Sequence, residues 1–287
     1  DISYQHGDQR RGIDFYLPRN RKAGARLPLV IFVHGGGWVM CSRRMSAAVG
    51  RILAARGIAV AAPGYRLLPT CTPEEQLADV MQALRTIQGF GAARFGLDVQ
   101  HMVLSGESAG ANLIMRAAQQ YPDDLVKPRG IVGIYGVYDV RRAWREKPTA
   151  YRPLADAFSQ GGHTARALTA GSALRPLPWK DVPVLLMHGD QDLISPVSQS
   201  YALTEVLRSQ GVQVDLRVYP NEGHGFIYKP GPGKRPPSKG AAQHAESNAA
   251  RPPNHARMAY RTLFRFLFET GTLQRRQPRD EDLQQAA

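Results

Sequence analysis

Ser108, in Gly106-Glu107-Ser108-Ala109-Gly110, and His224, in Gly223-His224-Gly225-Phe226, are residues whose types and settings could carry nucleophilic chemistry. A serine hydroxyl is a poor nucleophile at neutral pH and needs a neighbouring base. A histidine can serve, provided an anionic partner fixes its tautomer and stabilises the imidazolium that forms. His188-Gly189-Asp190-Gln191-Asp192 offers two carboxylates, which at this spacing cannot both point at one imidazole. Asp192 is the better choice, because Asp190, directly after an apolar run, is placed to cap the amides of a turn. The chain order is then nucleophile Ser108, acid Asp192, base His224.

Attack on a carbonyl creates an oxyanion that preorganised donors must meet. His34-Gly35-Gly36-Gly37-Trp38 supplies amides with no side chain in the way, so Gly36 and Gly37, together with the amide of Ala109, make a candidate oxyanion hole. A glycine-rich loop can instead merely turn, or cradle a phosphate, but the phosphate-loop pattern GxxxxGK[ST] is absent. Trp38, Met40, Phe226 and Ile227 flank these motifs and read equally as the lining of an acyl pocket or as core. No HExxH and no CxxC occurs, so zinc is not expected, and the proposed chemistry needs no metal or organic cofactor. Cys41 and Cys71 fall in loops after neighbouring strand candidates, where a disulfide between them is geometrically allowed.

The elements that must position these groups follow from the apolar pattern. Strand-length runs at 29–33, 58–62, 102–104, 131–134, 184–187 and 214–218 mostly lack alternation, as strands covered on both faces do. Helical patterns lie between and after them at 47–56, 73–87, 109–120, 196–209 and 254–268. This alternation predicts an α/β fold: an open, mostly parallel sheet with helices on both faces, with segments 2–5 and 12–17 as an antiparallel edge. GESAG then sits between a strand and a helix, and HGGGW, HGDQD and GHGF each follow a strand. Asp79 and Arg85 read as helix-surface charges and His101 as a loop residue.

Length and composition fit a single globular domain spanning 1–287, with no apolar run long enough to cross a membrane. Residues 138–181 leave room for a small lid, with Trp144 and Trp179 as its anchors or as packing. Residues 229–253, rich in proline, glycine and small polar types, read as a mobile insert. The net charge of +13 would suit an acidic partner, but the basic clusters lack interleaved aromatics, so a solvated basic surface is expected rather than nucleic-acid binding. The chain opens at Asp1 without a methionine or an apolar leader, which fits either a cytoplasmic protein or one exported after loss of a signal peptide. A homodimer stays open.

Taken together, HGGGW at 34–38, Tyr65-Arg66-Leu67, GESAG, HGDQD and GHGF resemble the α/β-hydrolase superfamily, in particular carboxylesterases related to hormone-sensitive lipase and the bacterial feruloyl-esterase-like group. The resemblance implies a serine esterase working through an acyl-enzyme on a small-molecule ester. Ser108, Asp192 and His224 would form its triad and Gly36, Gly37 and Ala109 its oxyanion hole. The stretch before HGGG is too short for the family's large amino-terminal cap, which implies an open site and short, medium or compact aromatic acyl groups. The insert at 229–253 is foreign to the family pattern. Three rivals remain: an arylformamidase, which shares the HGG and GxSxG motifs; a serine peptidase of related fold, which would be expected to bring a further large domain; and a non-catalytic binding protein on the same scaffold, which would be expected to lose a triad member.

Overall fold

A computed structural model of the chain describes residues 2–5, 8–19, 24–146, 156, 168–169, 171–228 and 254–273. The insert at 229–253 and most of the lid candidate between 147 and 170 lie outside the described residues. Eight strands form one sheet: β1 (Ile2–Ser3), β2 (Gly12–Tyr16), β3 (Leu27–Val33), β4 (Ala59–Pro63), β5 (Leu97–Glu107), β6 (Gly130–Ile134), β7 (Val184–Gly189) and β8 (Val214–Tyr219). Their order is β1-β2-β4-β3-β5-β6-β7-β8. The first two pairings are antiparallel and the rest parallel, so the expected edge is present.

The helices are α1 (Ala47–Ala54), α2 (Pro73–Thr86), the short α3 (Ala92–Phe95), α4 (Ala109–Gln119), α5 (Val140–Glu146), α6 (Ser198–Ser209) and α7 (His255–Glu269). Side chains on a strand alternate between faces. In β3, Leu29, Ile31 and Val33 enter the core that also holds Leu84 of α2, Leu113 of α4 and Leu203 of α6. Val30 and Phe32 enter the opposite core with Leu53 of α1 and Leu263 of α7. Burial on both faces is why these strands read as unbroken apolar runs. Each such side chain removed from water contributes about 1.5–3 kcal/mol.

Two local features depart from the sequence expectation. β5 begins five residues earlier than its apolar run, because Asp98, Gln100 and His101 lie at the rim of the sheet, where the register with β3 shifts between Pro28 and Leu29. Asp79 is not a surface charge: it is 2% exposed and grips Arg66 with both oxygens, Oδ2 to Nε and Oδ1 to Nη2, each at 2.9 Å. That pair ties α2 to the loop after β4, and Arg85 is the exposed charge, paired with Asp124. Cys41 and Cys71 both carry thiols and no disulfide joins them. Helix α2 starts where the sequence signals it, with Thr72 and Glu75 forming a reciprocal capping box and Pro73 in its first turn. Among the described residues no helix is long and apolar enough to cross a membrane.

Candidate active site

The carboxyl end of the sheet gathers the motifs. β5 runs through Gly106 and Glu107, and Ser108 turns the chain sharply into α4 with φ 50° and ψ −121°. A non-glycine residue at positive φ is strained by roughly 1–3 kcal/mol and persists only where its surroundings hold it. Here the Ser108 amide donates to the carbonyl of Ile134 at 2.9 Å, and the glycines on either side let strand and helix approach. A Cβ on Gly106 would lie 2.4 Å from the Gly110 carbonyl, and one on Gly110 would lie 2.2 Å from that of Val33. The two outer glycines of GESAG are therefore dictated by packing.

Ser108 Oγ lies 3.0 Å from His224 Nε2, and His224 Nδ1 lies 2.7 Å from Asp192 Oδ2. His224 sits in the loop after β8, and Asp192 in the loop after β7. Asp192 is 5% exposed and its Oδ1 accepts from the amides of Ile194 and Ser195, at 2.9 and 2.8 Å. Burial pushes its carboxyl upward, but donors from His188, His224 and the Ser195 amide outweigh that and hold it well below the usual carboxylate range. Asp190 turns elsewhere: its Oδ1 accepts from the Asn221 amide at 2.7 Å, tying the β7 loop to the turn after β8.

The glycine loop is braced from below. Tyr65 Oη donates to the carbonyl of His34 at 3.0 Å, and the two rings stack at 4.4 Å. Burial lowers His34 to about 4, so it stays neutral. Gly36 adopts φ 113°, with the Met40 carbonyl only 2.2 Å from where a Cβ would stand. The amides of Gly36, Gly37 and Ala109 donate to no protein acceptor among the described residues. Ala109 opens α4, whose first amides lack intrahelical acceptors and carry the positive end of the helix dipole.

The residues read as acyl-pocket lining or core divide unevenly. Trp38, Phe226 and Ile227 are buried, and Phe226 packs its ring 4.9 Å from Tyr219 and 5.7 Å from Tyr135. Met40 alone of the four is exposed, at 59%. A cavity of about 940 Å³ lies beside the loop, bordered by Arg10, His34, Cys41, Arg43, Arg44 and Tyr65; neither Ser108 nor His224 lines it.

Two supports carry no motif signature of their own. His188, fully buried, sets its Nε2 2.7 Å from the Ser195 carbonyl and 3.4 Å from Asp192, while its Nδ1 faces Ser200 Oγ at 2.8 Å. It braces the Asp192 loop from within. The other is Glu107, inside GESAG itself. The signal for both is a titratable residue just past an apolar run, Met102–Leu104 for Glu107 and Val184–Met187 for His188.

A family model for the alpha/beta hydrolase fold matches residues 30–228. The chain belongs to that alpha/beta hydrolase family. Within the matched span lie the glycine loop, Ser108, Asp192 and His224. Among curated relatives, isoprenylcysteine alpha-carbonyl methylesterase of Arabidopsis thaliana is 26% identical over 79% of this chain and 56% of its own length. Esterase LipC of Mycobacterium tuberculosis is 30% identical over 69% of this chain and 53% of its own. The chain thus spans about half the length of these two relatives. Esterase B from Lactobacillus rhamnosis superposes with a TM-score of 0.74, covering 94% of this chain and 84% of that one at 24% identity, which shows a shared fold.

Proposed function

We propose that the protein is a serine-dependent carboxylic ester hydrolase. The observation that carries this reading is the continuous hydrogen-bonded line from Ser108 Oγ through His224 to the buried carboxylate of Asp192. Ser108 Oγ attacks the ester carbonyl while His224 Nε2 takes its proton, and Asp192 holds Nδ1–H and stabilises the imidazolium. The oxyanion rests among the amides of Gly36, Gly37 and Ala109. His224 returns the proton to the departing alcohol, leaving an acyl group on Ser108. Water repeats the sequence, activated by the same imidazole, and the free acid leaves.

The esterase names of the relatives support this class of reaction. Compact acyl groups, short to medium chains or small aromatic acids, are the favoured substrates, because Trp38, Phe226 and Ile227 are absorbed into packing instead of standing open as an apolar channel.

Turnover of p-nitrophenyl esters from acetate to palmitate, with an aryl formamide and a peptide amide alongside, tests both parts. Ser108→Ala is expected to lose about 10⁴-fold or more in kcat/KM with an unchanged circular dichroism spectrum. Undiminished turnover in that variant would refute the nucleophile. Palmitate esters cleaved faster than butyrate esters at matched soluble concentration would refute the acyl preference.

A further inference from the structure

The buried carboxylate of Glu107 contacts every loop that the proposed reaction uses, except the one carrying Asp192. Its side chain points away from solvent, and the residue is 3% exposed. Oε2 accepts from Tyr135 Oη at 2.5 Å, Oε1 accepts from Tyr228 Oη at 2.7 Å, and the Gly35 amide approaches Oε1 at 3.5 Å. All three neighbours direct a hydrogen at the carboxylate, and an ionised carboxylate can accept from all of them at once. Among the described residues no lysine or arginine pairs with it, so the charge is held by hydrogen bonds alone.

Each donor leads to a different part of the site. Tyr135, following β6, holds φ 37°, and its ring packs 4.6 Å from the imidazole of His224. Tyr228 ends the short 3-10 turn Phe226–Tyr228 that follows His224. Gly35 begins the glycine loop and lies against Ser108, whose Cβ would be 3.0 Å from a Cβ placed there. A residue meant only to fill this space would be apolar, since an anion buried without a cation is costly.

We propose that Glu107 is a positioning residue: its carboxylate locks the Tyr135 platform, the His224 loop and the glycine loop together, setting the imidazole and the oxyanion amides against Ser108. This rests on the esterase reading given above. The groups facing Glu107 are the hydroxyls of Tyr135, Tyr228, Tyr65 and Tyr260, the Cys41 thiol and the His224 imidazole. Burial raises the Glu107 carboxyl above its ordinary range, against the pull of the Tyr135, Tyr228 and Gly35 donors. On acidification it therefore protonates earlier than an exposed glutamate. A proton gained on one oxygen turns that oxygen from acceptor to donor, so a tyrosine hydroxyl must rotate to accept it and the two-sided lock is rearranged.

The experiment is steady-state kinetics of the full chain with p-nitrophenyl acetate across pH, after Ser108→Ala has established that turnover is the protein's own and depends on that serine. Failure at that first step sinks the esterase reading and the lock with it, whereas the variants below sink the lock alone. In Glu107→Gln, kcat is expected to fall about ten- to a hundredfold with KM within about twofold, the signature of a misplaced imidazole. The acid limb of log kcat/KM should be steeper than one proton in wild type and fall to one proton in the variant. Tyr228→Phe should lose less, and the Glu107→Gln/Tyr228→Phe double variant no more than Glu107→Gln alone, because the two act as one unit. A Glu107→Gln enzyme with a lowered melting temperature but wild-type kcat and acid slope would overturn the proposal and leave a core group only. Should Glu107→Gln fail to fold, Tyr228→Phe decides alone: reduced kcat at unchanged KM upholds the lock, and unchanged kcat overturns it.

Discussion

Two buried carboxylates stand at opposite ends of this molecule's use of charge. Asp79, on α2, is held by the guanidinium and amide of Arg66, and its partner carries a permanent charge. Asp192, on the β7 loop, is held by two amides and by imidazoles, of which His224 reaches Ser108. Both are nearly inaccessible, at 2% and 5% exposure, so burial does not distinguish them. The partner does. A guanidinium cannot give up its proton and so fixes structure, whereas an imidazole can accept and return one.

The sharpest way to break the comparison is to replace each carboxylate by its amide. Asp192→Asn is expected to lower kcat by about 10⁴-fold with the fold retained, because the imidazole loses its tautomer and its counter-charge. Asp79→Asn should instead cost roughly 2 kcal/mol of stability while leaving kcat per folded molecule near wild type, since it weakens charge-assisted hydrogen bonds to Arg66, which keeps Glu75 as a partner. Thermal melts and kinetics on the same samples separate the two. Acid sharpens the same contrast. The folded-state pKa of Asp192 lies below its unfolded value, so its ionised form contributes stability above about pH 3.9, and that contribution is lost as pH falls from there toward the folded value. Asp192→Asn should therefore unfold with a shallower acid dependence than wild type.

Smaller effects test how local the two regions are. Thr72→Ala removes the α2 cap and should cost about 1 kcal/mol without touching kcat. Asp190→Asn, two residues from the acid but bonded to Asn221, should change kcat by less than about tenfold. A larger kinetic loss from Asp190→Asn than from Asp192→Asn would reverse the roles assigned to the two residues.

Much of this architecture was legible because strands covered on both faces must be apolar throughout, and the glycines of GESAG and HGGGW mark where backbone crowds backbone. What escaped were pairings made across the chain. Asp79 looks like one more acid in Pro73-Glu74-Glu75-Gln76-Leu77-Ala78-Asp79, and its partner lies 13 positions away in a loop. Glu107 meets Tyr135 and Tyr228 at separations of 28 and 121 residues, distances at which no periodicity speaks. The rim of β5 escaped for a different reason: Leu97 and Val99 turn to the core, but Asp98, Gln100 and His101 interrupt them, so no unbroken apolar run marks the segment. That Asp192 and not Asp190 faces His224 follows from the first residue past a strand serving its turn, as Asp190 does at the Asn221 amide.

The account stands or falls on whether Ser108 becomes covalently modified by an electrophile that mimics the ester. Reaction of the full chain with a fluorophosphonate, followed by intact mass and peptide mapping, measures this directly. The account predicts one adduct per chain, located on Ser108, absent in Ser108→Ala and formed far more slowly in His224→Ala. Ester turnover by an unlabelled wild-type protein, or stoichiometric labelling of another residue with turnover preserved in Ser108→Ala, would contradict it.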